Sequence, residues 1–242
     1  MESNRWWFRA RRDIIIDFIK MYYPQPYNQL KVIDIGCSTG QLLKRLNDEG
    51  FNSTNLYGID VSQEAINKCH ENGLKNTFVM DATNINWPDH KFDLIIASDC
   101  LEHISNDLEA LRSWKKLKST EGLMMIFVPS FMFLWSAHDE TNHHYRRYTQ
   151  NQLQNLGSQV NVALVNHGYW NFSLFLPVFF VHKLTNIKRT FIRNKTPNGT
   201  NWNLSFSWMD RFFYHLLSLE NSIIIKLKFR FPFGISTYCI FK

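Results

Sequence analysis

A short apolar run, Leu30 to Ile35, opens into Asp34-Ile35-Gly36-Cys37-Ser38-Thr39-Gly40, and a helical stretch, Gln41 to Asn47, follows at once. A strand that ends in a glycine turn and feeds a helix is the start of a βαβ unit. The rhythm continues. Leu56 to Ile59 reads as a second strand, and Ser62 to Glu71 as a helix with Ser62 as N-cap. Thr77 to Met80 is a third strand. Phe92 to Ala97 is a fourth, with the nearly unbroken apolar character of a strand buried on both faces. Leu108 to Lys118 is helical, and Leu123 to Val128 is a fifth strand stopped by Pro129. Strands alternating with helices predict an α/β fold, a doubly wound and mostly parallel sheet with helices on both faces. Ahead of it, Ile14, Ile15, Phe18 and Ile19 share one helical face, which Pro24 and Pro26 end.

The 242 residues are 45% hydrophobic and 20% charged, which suits one domain with a sizeable core and excludes a disordered chain. Cys37, Cys69, Cys100 and Cys239 are scattered without CxxC or zinc spacing, as expected of free thiols in a reducing compartment. Residues 1–12 are polar, basic and tryptophan-rich, unlike a secretory signal. The net charge of +6 is lopsided. From residue 141 onward 12 Lys and Arg face 2 Asp and Glu, and the preceding residues hold 15 against 19. A basic carboxyl-terminal part points either to an anionic neighbour or to a solubilising surface.

In a doubly wound sheet, ligands bind beyond the carboxyl ends of the strands. The first such loop lacks the GxGxxG of a dinucleotide fingerprint and the Gly-Lys-Ser/Thr of a P-loop. Gly36 and Gly40 permit a tight turn and close backbone approach. Asp34 suits a cationic ligand better than a phosphate, and S-adenosylmethionine carries an ammonium and a sulfonium. Asp60, ending Leu56-Tyr57-Gly58-Ile59-Asp60, is placed to accept ribose hydroxyls. Asp81, after Phe78-Val79-Met80, is placed to accept from the adenine amino group, with the Ala82 backbone NH beside it. One acid at a strand end is commonly a cap or a solvated turn. Three behind one glycine loop argue for a shared ligand.

Val32 to Gly40 resembles the first motif of the class I S-adenosylmethionine-dependent methyltransferases, and Phe92 to Ile104 resembles their fourth strand and the loop after it. The resemblance implies a Rossmann-like, seven-stranded sheet with one antiparallel strand. It implies cofactor contacts from Asp34, Gly36, Cys37, Ser38, Gly40, Asp60, Val61, Asp81, Ala82, Ser98 and His103. Ser38 stands where the family usually has glycine. A narrower likeness, to a bacterial subgroup, covers Trp6-Trp7-Phe8 with Arg11-Arg12, His138-Asp139 with His144 to Thr149, Tyr169-Trp170-Asn171 and Phe231 to Ser236. By the family pattern Gln159 to Val165 and Ile235 to Phe241 are the last two strands. The chain then divides into a helical cap (1–29), a cofactor core (30–170), a helical, aromatic and basic insertion (171–233) and a last strand (234–242).

Methyl transfer is an in-line displacement that needs orientation and often a base. Ser136 to Tyr148 follows the fifth strand and is rich in ionisable groups. His144 or His138 is expected as base, with Asp139 orienting it, and Arg146, Arg147 and Tyr148 as acceptor-binding groups. The same segment also reads as a structural loop with Asp139 paired to an arginine. No regular ligand spacing marks a metal site. In the insertion, Phe172 to Val181 is apolar and aromatic, and Lys183, Lys188, Arg189 and Arg193 follow it. Ten residues are too few to span a bilayer but fit an interfacial anchor or a lid. The expected acceptor is a small molecule, sugar or glycolipid methylated on oxygen, in the cytoplasm or at the inner face of the membrane. RNA or protein is the competing acceptor class, although no Asn-Pro-Pro-Tyr or Pro-Cys stretch is present, and Trp202, Phe206 and Trp208 could stack bases. A non-catalytic cofactor-binding protein is the third reading.

Overall fold

The computed structural model describes residues 5–23, 25–85, 87, 90–180 and 207–242. Seven strands lie in one sheet: β1 (Val32–Ile35), β2 (Leu56–Asp60), β3 (Thr77–Val79), β4 (Phe92–Ser98), β5 (Lys118–Pro129), β6 (Leu164–Trp170) and β7 (Ser236–Phe241). Their order is β3-β2-β1-β4-β5-β7-β6. The first five pair in parallel, and β7 runs antiparallel to both β5 and β6. The mostly parallel sheet with one antiparallel strand is the architecture the sequence predicts. The order reverses beside β1, which places the switch point at the glycine loop.

Helices cover both faces: α1 (Trp6–Tyr22), α2 (Gln41–Asp48), α3 (Gln63–Glu71), α4 (Asp107–Leu117), α5 (Ala137–Thr141), α6 (Gln150–Gln159) and α7 (Ser207–Lys226). Ser62 caps α3 by accepting from the Ala65 NH, as its sequence position predicts. One face packs α1, α2 and α7 on the sheet, with Phe18 against Phe127 and Tyr238. The other packs α4 and α6, with Trp114 and Leu153 fully buried. Asn221 of α7 ties three elements together, donating to the Ala10 carbonyl and accepting from the Trp170 indole NH. All four cysteines are free and buried.

Two boundaries depart from expectation. Of the expected strand Gln159 to Val165, only Leu164 and Val165 belong to β6. Thr149 and Gln152 form a capping box that starts α6, the helix runs to Gln159, and Asn161 turns the chain at φ 55° before β6 begins at Leu164. Gly157 lets α6 lie directly on β7, since a Cβ there would meet the Phe241 ring at 2.2 Å. β5 starts earlier than expected, at Lys118, because Gly122 allows it to approach the Phe92 carbonyl where the β4–β5 register shifts. Lys183, Lys188, Arg189, Arg193, Trp202 and Phe206 lie outside the described residues. No described helix is long and apolar enough to cross a membrane.

Phe18 is fully buried between the sheet and α1. Phe18→Ala should lower the unfolding free energy by about 3–5 kcal/mol. Urea denaturation would show this as a lower midpoint at unchanged slope; an unshifted midpoint would mean that α1 is not part of the core.

Candidate active site

The carboxyl edge of β1, β2 and β4 forms a cradle. Gly36 at φ 77° and Gly40 at φ 74° turn the chain where other residues would be strained. Space demands glycine as well, since a Cβ on Gly36 would lie 2.9 Å from Cys100 and one on Gly40 would lie 2.3 Å from Leu74. Ser38 takes the left-handed conformation at φ 48°, so the family's glycine is replaced at a strained position. The loop is pinned to β2 by Gly36 and Cys37 NH groups donating to the Ile59 carbonyl. The Cys37 side chain is buried, and Gly58 gives it room, since a Cβ there would lie 2.8 Å from its Sγ.

Asp60 bridges the two strand ends. Its Oδ2 accepts from the Ser38 NH and its Oδ1 from the Ser62 NH, both at 2.9 Å. Each oxygen keeps a lone pair, so the carboxylate is oriented to accept a pair of vicinal hydroxyls. Val61 beside it is largely exposed. Asp34 is buried, and burial, followed by repulsion from Asp60, pushes its carboxyl up to about 7. A buried acid of this kind is stabilised in its ionised form by a ligand cation. Asp81 is exposed, and its Oδ1 accepts from the NH and the hydroxyl of Thr83. Its Oδ2 is the oxygen remaining for a ligand. The Ala82 carbonyl is taken by the Trp114 indole NH at 2.8 Å.

Beyond β4, Ser98 donates to Asp99 Oδ2 at 3.1 Å, and Asp99 adopts φ 55°. Asp99 Oδ2 also lies 3.5 Å from Arg11 Nη1. Arg11 is buried within α1, with its guanidinium over the rings of Trp170, Trp7 and Phe127 and its Nη2 donating to Ser236 Oγ. Glu102 is buried one turn on, and burial and Asp99 hold its carboxyl well above the usual range. His103 is held below its usual range by burial and by His144.

The segment after β5 closes the site. Asp139 is fully buried. Its Oδ1 meets His144 Nδ1 at 2.9 Å and Arg147 Nε at 2.7 Å, and its Oδ2 accepts from Arg147 Nη2, Ser136 NH and Ser136 Oγ. Burial alone would raise this carboxyl, but His144 and Arg147 outweigh it and hold it below the carboxylate range. The structure thus brings Asp139 and His144 together. His138 is exposed on α5 with its ring 6.3 Å from that of His144. Arg147 and Tyr148 turn inward to internal partners. Arg147 is buried, closes a bidentate pair with Asp139 and donates to the Ser130 carbonyl. Tyr148 is buried, with its hydroxyl donating to Asp107 Oδ2 at 3.0 Å. Arg146 pairs with the same Asp107 oxygen at 2.9 Å but stays partly exposed. These cations and the phenol hold the segment in place, because each finds an internal acid first.

Aromatic rings line the same edge past β5. Phe131, at φ 58°, stacks on Phe133 and Tyr169 at 5.0 and 5.1 Å, and Phe175 packs against Phe131, Phe133 and Phe233. Arg11 lies in the Trp6–Arg12 segment and Asp99 and Glu102 in the Phe92–Ile104 segment, yet the sequence singles out none of the three as a site residue. Arg11 does have a signal, since it shares the i, i+3, i+4, i+7 face of Ile14, Ile15 and Phe18 and must be buried with them.

A family described as methyltransferase domain matches residues 27–170, more than half of the chain. The ubiquinone biosynthesis O-methyltransferase of Rickettsia bellii is 24% identical over 137 residues, 51% of this chain and 57% of that protein. The chain therefore spans about half the length of the curated relatives it matches. A SAM-dependent methyltransferase from Archaeoglobus fulgidus superposes with a TM-score of 0.60 at 19% identity, covering 98% of this chain and 96% of its own. The plantazolicin methyltransferase BpumL, solved with S-adenosylhomocysteine, superposes with a TM-score of 0.60 at 15% identity over 98% of this chain and 84% of its own. The chain belongs to the methyltransferase-domain family. Asp34, the Gly36–Gly40 turn and Asp60 fit the ammonium, close approach and ribose of S-adenosylmethionine.

Asp34 links binding to pH. Its folded pKa lies above the ordinary value of about 4. The folded chain therefore holds the extra proton between about 4 and 7, and Asp34 makes the unliganded fold less stable as pH rises through that window. A cofactor ammonium favours the ionised form. Adenosylhomocysteine affinity, measured by calorimetry, should therefore rise from pH 6 to pH 8. Asp34→Asn should raise the melting temperature of the unliganded chain at pH 8 while weakening binding at least about tenfold. A variant with lower stability and normal affinity would contradict this assignment.

Proposed function

We propose that the chain methylates a hydroxyl oxygen on a small, apolar or aromatic organic acceptor. The observation that carries this is the pairing of His144 with buried Asp139 at 2.9 Å, its ring 4.5 Å from that of His103, beside the cofactor cradle. His103 feels the charges of both Asp99 and Asp60, so the imidazole pair borders the donor side of the site. S-adenosylmethionine supplies an electrophilic methyl group on a sulfonium. Asp34 and Asp60 hold its two ends, and the glycine turn brings backbone against it. Asp139 fixes the tautomer and aim of His144, with Nδ1–H donated to the carboxylate and Nε2 turned away from it. The acceptor's proton leaves toward the His103–His144 side as the oxygen attacks.

The aromatic wall supports an apolar acceptor. Phe131, Phe133, Tyr169 and Phe175 offer ring faces and few polar partners, which suits a ring or an isoprenoid chain better than a bare sugar. The curated relatives, O-methyltransferases of ubiquinone biosynthesis, point the same way. Met132, Phe133, Leu176 and Phe180 are exposed at this rim, and they would receive a lipid-linked acceptor from a membrane surface on the cytoplasmic side.

His144→Ala should lower turnover of a phenolic acceptor about 100-fold or more. Its adenosylhomocysteine dissociation constant should stay within about a factor of two of the parent's. Unchanged turnover would remove the His103–His144 side from the reaction.

A further inference from the structure

Glu102, His103 and His144 come from two separate turns of chain, one after β4 and one after β5. Each offers one donor atom, and the three atoms lie within 4.8 Å of one another. Two of the three carry a feature that suits ligation, a fixed ring in His144 and an unpartnered oxygen in Glu102. His144 gives Nδ1 to Asp139 Oδ1, so Nε2 carries the free lone pair. The His103 ring packs edge-on against that of His144, with centroids 4.5 Å apart. Glu102 is 1% exposed, and its Oε2 has no hydrogen-bond partner. Asp99, Arg11 and Arg147 are the charges that act on it. A buried carboxyl oxygen without a partner costs about 1–3 kcal/mol unless something occupies the space beside it.

We propose that Glu102, His103 and His144 form a site for a divalent transition-metal ion of the zinc class, with open positions facing the methyl donor. Two imidazoles and one carboxylate suit zinc and its first-row neighbours, whereas magnesium and calcium prefer oxygen alone. Three protein ligands with a vacant fourth position are the pattern of a metal that binds a substrate oxygen. The partner behind His144, a buried carboxylate, is of the kind that orients metal-bound imidazoles. Metal bonds of about 2.0–2.2 Å hold ligand atoms about 3–4 Å apart, so the three side chains draw together by about an ångström on binding. The consequence rests on the reaction proposed above; the binding does not. With the ion in place, the acceptor hydroxyl coordinates it, its acidity rises and its proton passes to solvent. The histidines then meet the acceptor oxygen through the metal.

The test uses the full chain, stripped with a chelator, desalted and titrated with Zn²⁺ by calorimetry, with adenosylhomocysteine titrated in parallel. One Zn²⁺ should bind per chain. Glu102→Gln and His144→Ala should each weaken it about 100-fold or more, while exposed His143, at φ 55°, should leave it unchanged as His143→Asn, a residue that tolerates that conformation. Adenosylhomocysteine should bind all three variants; its failure to bind the parent chain would sink the methyltransferase reading and leave the zinc result standing. Absent stoichiometric zinc binding, or binding that persists at full strength in both ligand variants, overturns the site. Should those variants unfold, Co²⁺ added to the parent chain decides instead. A d–d absorption of four- or five-coordinate cobalt supports the site, and only the six-coordinate spectrum of hydrated cobalt overturns it.

Discussion

The segment after β5 hangs on one buried carboxylate. Asp139 starts α5 by accepting from both the backbone and the side chain of Ser136, neutralises Arg147 and aims His144. Four hydrogen-bond donors besides the imidazole converge on two oxygens in a site closed to water. Losing such a carboxylate would leave Arg147 charged and unpaired in the interior, which is the expensive way to break a buried pair. Through Arg147 the same group reaches the Ser130 carbonyl at the end of β5, where Ser130 also bonds the backbone of Ile235 and Gly234. The antiparallel β7, the loop after β5 and the imidazole pair are thereby one connected unit.

The donor side has a different physics. Its parts are close in sequence: a strand, a turn, a second strand and an acid at each strand end. Asp60 orients itself through backbone NH groups of its own loop and the neighbouring one, so its geometry follows once β1 and β2 pair in register. Asp34 is kept buried beside it at the expense of the unliganded fold. Arg11 joins the halves. It reaches from α1 through a cage of aromatic rings to Asp99 and Ser236, linking the end of β4 to the start of β7.

This contrast explains what the sequence could reveal. The cradle is legible because apolar runs, glycines and terminal acids are local signals, and the parallel sheet follows from their rhythm. The roles of Arg147 and Tyr148 are not, because a basic run beside histidines looks like a binding patch until Asp139 and Asp107 are seen to claim it. The β6 boundary fails for a related reason: the capping box at Thr149 outweighs the β-character of Val160 to Val165. The gathering of Glu102 and His103 with His144 is invisible to any rule of ligand spacing, since 41 positions separate His103 from His144. Only the pairing of β4 with β5 brings their loops together.

The central claim is that the bound donor presents its methyl group to the His103–His144 side of the cradle. Adenosylmethionine carrying a ¹³C methyl, bound to the full chain, tests it by isotope-filtered nuclear Overhauser spectroscopy. Cross-peaks from the donor methyl to the ring protons of His103 are expected. Cross-peaks to other side chains alone, with the His103 and His144 rings silent, would contradict it.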